Sequence, residues 1–245
     1  MAQQAIEVRP SAGSQNQLYV ATALICAAVI FVGFAPSYYL KDVIHAPPPL
    51  SPLTMAHGAV FTLWTLLFVT QATLIGVGRP RLHRQLGMLG AMLFGAMVVL
   101  GLSTAITAAR LGHAPPASPD PKVFMALPVI GILAEAVLVA MALINRTRRD
   151  YHQRLMLAAF IMITQPAIGR MFIPAGLAGS ANQGSFLVIE LMLLAVIALD
   201  WRKVGKVHPA WLTGVAVLAT MHLLVTWAFA GAGWWAATAA WLTRA

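Results

Sequence analysis

The chain alternates between long apolar runs and short polar connections. The runs lie at 18–40, 53–77, 86–109, 123–144, 155–175, 186–199 and 210–230, most of them close to the about 20 apolar residues that cross a hydrocarbon core as a helix. They predict an all-α fold, an integral membrane bundle of about seven transmembrane helices. The sixth run is the shortest and has ragged ends, so its helix is expected to borrow residues on both sides. Ahead of the first run, residues 1–17 are polar and lack the basic-then-apolar order of a cleavable signal peptide. The first run is therefore expected to be retained as a helix. Beyond the last, residues 231–245 stay apolar, with Trp234, Trp235 and Trp241, yet are too few to cross again. They read as an interfacial aromatic tail. The organisation is thus a polar segment 1–17, a transmembrane domain 18–230 and a tail 231–245.

Composition agrees with this pattern. Hydrophobic residues make up 60% of the 245 positions and charged residues 9%, against about 25% charged in an ordinary soluble domain. A soluble fold of this size needs a polar skin that this sequence cannot supply. The net charge of +9 would suggest nucleic acid in a soluble protein. Here the bases sit in short loops between apolar runs, which excludes that class and points to membrane orientation and anionic headgroups. Arg9, Arg79, Arg81, Arg84, Arg146, Arg148, Arg149, Arg154, Arg202, Lys203 and Lys206 fall on one side, 11 of the 16 bases. The other side holds Lys41, Arg110, Lys122, Arg170 and Arg244. By the positive-inside rule the N-terminus is cytoplasmic and the C-terminus extracytoplasmic, as in a multi-pass protein of the cell inner membrane. The one cysteine, Cys26, lies in an apolar run and argues against thiolate metal sites.

The outer connections are rich in proline. Pro47, Pro48, Pro49 and Pro52 stiffen one, and Pro115, Pro116, Pro119 and Pro121 another. With 179–184 they are placed to form a lid. On the basic side, the third helix is entered through His83-Arg84, the fifth through His152-x-Arg154, and the seventh after Lys206-x-His208. A repeated helical hairpin or simple surface anchoring by snorkelling cations accounts for this echo.

Strongly polar side chains inside a span are costly and face the bundle interior. They are His57 on the second helix, Glu135 on the fourth, Gln165 and Arg170 around Pro166 on the fifth, Glu190 on the sixth and His222 on the seventh, with Tyr38 and Tyr39 closing the first. Nearly all fall in the outer half, whereas Gln71 lies toward the cytoplasm. One reading is a polar knot in which Arg170 pairs with Glu190. Another makes His57 and His222 axial ligands of a single haem b. Gly58 and Gly214 would then leave room for the ring, Arg170 or Arg110 would meet its propionates, and Tyr38 or Tyr39 would line the mouth. A third sets His57, Glu135, Glu190 and His222 around zinc or iron, with a glutamate activating water. No His-x-x-x-His or Glu-x-x-His spacing supplies a local chelate for it. His45 and His113, in the proline-rich loops, are further candidates for surface metal contacts. Pro166 leaves the carbonyl of Met162 without its helical donor, an opening for Gln165 or water.

His57-Gly58, Thr62-x-Trp64, Gln71, Leu82-His83-Arg84-x-Leu86-Gly87 and His152-x-Arg154-Leu155-Met156 resemble a group of uncharacterised bacterial multi-spanning membrane proteins. In broad style they are similar to membrane b-type cytochromes. The likeness covers roughly Pro52 to Leu157 and lacks the two stacked histidines per helix of diheme members, so it implies one haem at most and assigns no catalytic residue. The leading expectation is an electron-transfer protein of the membrane with a single haem b or quinone site. The alternatives are a metal-dependent membrane enzyme acting on a lipidic substrate, and a transporter, receptor or assembly factor whose pocket holds a ligand. Only Pro128 and Pro166 announce kinks within the spans.

Overall fold

The computed structural model describes residues 12–44, 49–115 and 118–244, with side chains from residue 16 onward. His45, Pro47, Pro48, Pro116 and residues 1–11 of the polar N-terminal segment lie outside the described residues. The described chain is helical throughout its ordered elements, and seven of its helices are long and apolar enough to cross a membrane: Asn16–Tyr39, Pro52–Gly76, Pro80–Arg110, Pro121–Ile144, Arg149–Phe172, Ala178–Val204 and Pro209–Phe229. The protein is an all-α, multi-pass membrane bundle.

The first span is α1 (Ala12–Phe34), which ends in a π-turn over Ala35–Tyr39, and a short α2 (Lys41–Ile44) follows. α3 (Pro52–Gly76) and α4 (Pro80–Arg110) form a hairpin whose three-residue turn places Gly78 at φ +73°, a left-handed conformation that glycine adopts without a Cβ clash. The fourth span is α5 (Pro121–Phe124) running into α6 (Ala126–Ile144). The fifth is α7 (Arg149–Met162) followed by α8 (Gln165–Phe172). The sixth, α9 (Ala181–Val204), ends at Gly205, whose φ of +80° closes the helix C-terminus. The seventh is α10 (Pro209–Phe229). The tail forms a helix of its own, α11 (Gly233–Leu242), packed on α5 and α10, with the Trp235 indole N–H bonded to the carbonyl of Lys122 at 2.9 Å.

The fifth span is the axle. Every residue from Leu157 to Gln165 is buried, because α7 and α8 touch the first, fourth, sixth and seventh spans. Phe160 stacks face to face on Phe68 at 3.9 Å and lies against Trp64. Gly33 lets α1 press on α8 so closely that a Cβ there would sit 2.3 Å from the carbonyl oxygen of Ala167. Leu187, Leu191 and Leu194 on α9, and Leu223 and Trp227 on α10, are exposed. That outward apolar surface is of the kind a hydrocarbon environment accommodates.

The histidines at the basic end act as hairpin staples. His83 Nδ1 meets the carbonyl of Gln71 at 3.3 Å, and Gln71 donates back to the carbonyl of His83 at 3.0 Å. His152 Nδ1 meets the carbonyl of Ala142 at 2.9 Å. Each thereby ties the start of one helix to the end of the preceding one. His208 breaks the pattern: it accepts from the N–H of Ala210 as a helix cap and meets Asp150 at 2.9 Å.

Candidate functional site

Three spans lose regular helix in their outer halves, each beside a proline. Pro36 lies in the π-turn, where the N–H of Leu40 reaches the carbonyl of Ala35 at 2.7 Å. Pro128 follows the break at Met125. Pro166 follows the break at Ile163–Thr164, where the Thr164 hydroxyl takes up the carbonyl of Ile161 at 2.6 Å. Irregular backbone at membrane depth is tolerated where it is buried in protein or lines a cavity. All three breaks do line one: a cavity of about 670 Å³ open at the base-poor end of the bundle. The π-turn is a third interruption beyond the two prolines that the sequence announces, since Pro36 sits so near the end of its run that it reads as a terminus.

The cavity wall is mainly apolar, with Phe61, Met97, Met125, Ile132 and Met221 among its residues. Its polar members include His57, Glu135, Gln165, Arg170, Tyr38 and Asn182. Taking about 1.5 Å per helical residue, Arg170 lies roughly 3 Å below the outer end of its helix, His57 roughly 8 Å and Glu135 roughly 14 Å. Tyr38 lies over α3 because residue 58 is glycine: a Cβ there would fall 2.2 Å from its ring. Its hydroxyl donates to the carbonyl of Met55 at 3.1 Å, while the Tyr39 hydroxyl pairs with Thr62 at 2.8 Å. Gln165 donates to the Ser185 hydroxyl at 2.8 Å, so it bridges to α9 and does not take the opening left by Pro166.

Three buried polar atoms on residues of this wall have no hydrogen-bond partner: His57 Nδ1, Glu135 Oε1 and Asn182 Oδ1. Glu135 is only 4% exposed. A buried carboxyl group without a partner has an unmet donor when protonated and an unmet acceptor when ionised, and either is costly in a low dielectric. Arg170 donates to the carbonyl of Pro166 on its own helix at 2.9 Å and lies over the Phe34 ring at 4.3 Å.

His222 and Glu190 depart from the expected site. They pair with each other, Nδ1 to Oε1 at 2.6 Å, with the imidazole stacked on Phe186 at 4.3 Å and its Nε2 meeting Gln183 at 3.0 Å. Neither lines the cavity; Gln183, at the rim, is their link to it. The expected Arg170–Glu190 pair is not formed, because His222 of α10 takes the glutamate. A haem held between His57 and His222 does not fit these residues as they stand. Both nitrogens of His222 are engaged, Tyr38 fills the space over Gly58, and a Cβ on Gly214 would lie 2.9 Å from that of Ala158 in a close helix crossing. Arg110, the other expected propionate partner, donates to the carbonyls of Leu242 and Arg244 in the tail. The expected zinc or iron set divides into His57 and Glu135 on the cavity and Glu190 with His222 outside it. Among the described residues no three His, Cys, Asp or Glu side chains gather as metal ligands. His113 is exposed in its loop at the cavity mouth.

At the basic end the sequence pattern missed a buried network. Asp200, fully buried, accepts from Arg154 Nε at 2.8 Å, from Arg154 Nη2 at 3.1 Å and from the Trp211 indole at 2.8 Å, with the Tyr19 hydroxyl at 3.3 Å. Arg154 reads from sequence as a loop base, yet is 2% exposed. The available signal was Asp200 itself, an acid placed directly after an apolar run in the most basic part of the chain.

Comparison with family models, with curated proteins and with solved structures finds no match for this chain. The resemblance to b-type cytochromes therefore rests on the quoted residues alone.

Proposed function

We propose that the protein is a binding protein for a lipid-borne small molecule, held in the outer half of the bundle within a bacterial inner membrane. Polar groups along the ligand are hydrogen-bonded by His57, Glu135 and Asn182, and its apolar body lies along the wall. The observation that carries this reading is the coincidence of unpartnered buried polar atoms with a cavity of ligand size. Small-molecule sites combine such volumes and apolar walls with a few convergent polar groups. Proline-broken helices around the site favour a ligand-handling role over a purely structural knot.

A quinone-linked redox role is the second reading. It is favoured by His57 and Glu135, two groups able to exchange protons beside the space for a ring carbonyl. Titration of the purified protein in maltoside micelles with decylubiquinone and with dodecanol tests both readings. Saturable binding that weakens about tenfold in H57A and in E135Q, the value of one lost charged or buried hydrogen bond, is expected. Equal affinity in all three proteins overturns the assigned polar contacts. A Soret band in protein from haem-replete cells would return haem to first place, and stoichiometric zinc or iron without that band would do so for the metal enzyme.

A further inference from the structure

We infer that the ligand of this cavity is an acidic amphiphile, whose carboxylate or phosphate head meets Arg170 near the mouth while its chain occupies the apolar interior. This rests on the cavity being a ligand site and adds the charge of the head group. Seven Asp and Glu residues are present, and Glu7 lies outside the described residues. Five of the remaining six are engaged elsewhere: Asp42 with Lys41, Asp120 with the N–H of Lys122, Asp150 with His208, Asp200 with Arg154 and Glu190 with His222. The sixth, Glu135, lies in the body of α6, whereas Arg170 lies in the last turn of α8, and Glu135 Oε1 has no partner. No carboxylate among the described residues reaches the guanidinium.

Arg170 is nonetheless held in place. Gly33 brings α1 against Ala167, and the next residues along, Phe34 on α1 and Arg170 one turn on from Ala167, meet as ring and guanidinium. Stacking on an aromatic face orients the planar fork without using its N–H groups. One hydrogen bond to the Pro166 carbonyl accounts for one of five donors. A fixed guanidinium with donors to spare, at the edge of a hydrocarbon-lined space, matches a planar or tetrahedral oxyanion. An uncompensated cation at membrane depth is costly, so an anion brought from the lipid phase is stabilising there. The apolar wall of Met97, Met125, Ile132 and Met221 selects an anion that carries a chain over a free one. At the deep end, the carboxyl of Glu135 accepts from or donates to a hydroxyl on that chain.

The test uses the full-length protein in maltoside micelles and compares dodecanoate, dodecyl phosphate, dodecanol and inorganic phosphate by calorimetric titration. Dodecanoate and dodecyl phosphate are expected to bind about tenfold or more tightly than dodecanol, as a charge-assisted pair requires. In R170Q that preference falls to near unity with dodecanol affinity unchanged, and R170K keeps part of it. Should R170Q not fold, the head-group ratio in the unmodified protein and in R170K decides. Acid and alcohol binding equally overturns the inference and leaves the cavity as a neutral-ligand site. Displacement of dodecanoate by inorganic phosphate at equal concentration assigns Arg170 to a free anion and also overturns it. No saturable binding of any chain overturns the ligand site itself.

Discussion

Substituting Asp200 by asparagine keeps the shape of the side chain and removes one charge from a fully enclosed polar group. Asp200 is fully buried and Arg154 is 2% exposed, so the guanidinium would be left without its counter-charge and without water. Four donor contacts converge on the carboxylate. Adding their separate worth overcounts, because they share one acceptor and one desolvation. The appropriate magnitude is that of breaking a buried pair by removing one partner, about 3–5 kcal/mol. Replacing both partners with apolar residues of similar bulk, as in R154M/D200L, removes the orphaned charge and is expected to recover most of that loss. The assay is reversible unfolding in mixed micelles with rising dodecyl sulfate, followed by tryptophan fluorescence. Asp200 lies roughly 28 Å along α9 from its outer end, far from the cavity, so ligand affinity of folded D200N should be unchanged. A loss below about 1 kcal/mol, the range of solvated surface pairs, would mean that Asp200 and Arg154 are hydrated and not a buried pair. A double variant no better than D200N would mean that the orphaned charge is not what costs stability.

Three further outcomes follow from the packing. Gly33→Ala places a methyl 2.3 Å from a backbone oxygen that has no room to turn aside. It should cost about 1–3 kcal/mol in the same unfolding assay and weaken binding of acidic amphiphiles, and an unchanged curve would mean that α1 and α8 do not cross there. His152→Ala removes the staple to the carbonyl of Ala142 and should cost about 1 kcal/mol, while His113→Ala, in an exposed loop, should leave stability unchanged. Orientation is read by labelling cysteines in intact cells with an impermeant maleimide. Cys26 is fully buried and gives no background, so L111C should label and R81C should not; the reverse pattern would invert the topology.

How much of this was legible in the sequence differs from element to element. All seven spans were readable because a bilayer demands a long apolar run from each helix. The larger shifts are at Pro80 and Arg149, where the third and fifth spans begin ahead of their runs in polar residues, and in α9. That helix gains residues on both sides, as its short run required, and reaches Val204 because Asp200 is neutralised inside the bundle. His57, Glu135, Arg170 and Tyr38 were found as cavity residues from a simple rule, that polar groups inside a span face inward. What the rule does not supply is partner choice. Glu190 was matched to Arg170 by adjacency of helices, but the side-chain contact depends on rotation of α10 about its axis, which brings His222 onto Phe186 and within reach of the glutamate. The same gap hid Arg154 and Asp200. Each looks like an ordinary loop charge, and only the convergence of the first, fifth, sixth and seventh spans buries them together. Gly58 read as room for a planar cofactor, and its room is taken by Tyr38.

Occupancy of the cavity by an acidic amphiphile is tested by photo-crosslinking with a dodecanoate analogue that carries a diazirine on its chain, mapped by peptide mass spectrometry. Adducts are expected on cavity residues such as Met97, Met125, Ile132 and Met221, saturable by unmodified dodecanoate. Adducts confined to the lipid-facing Leu191, Leu194, Leu223 and Trp227, or insensitive to competitor, would contradict that occupancy.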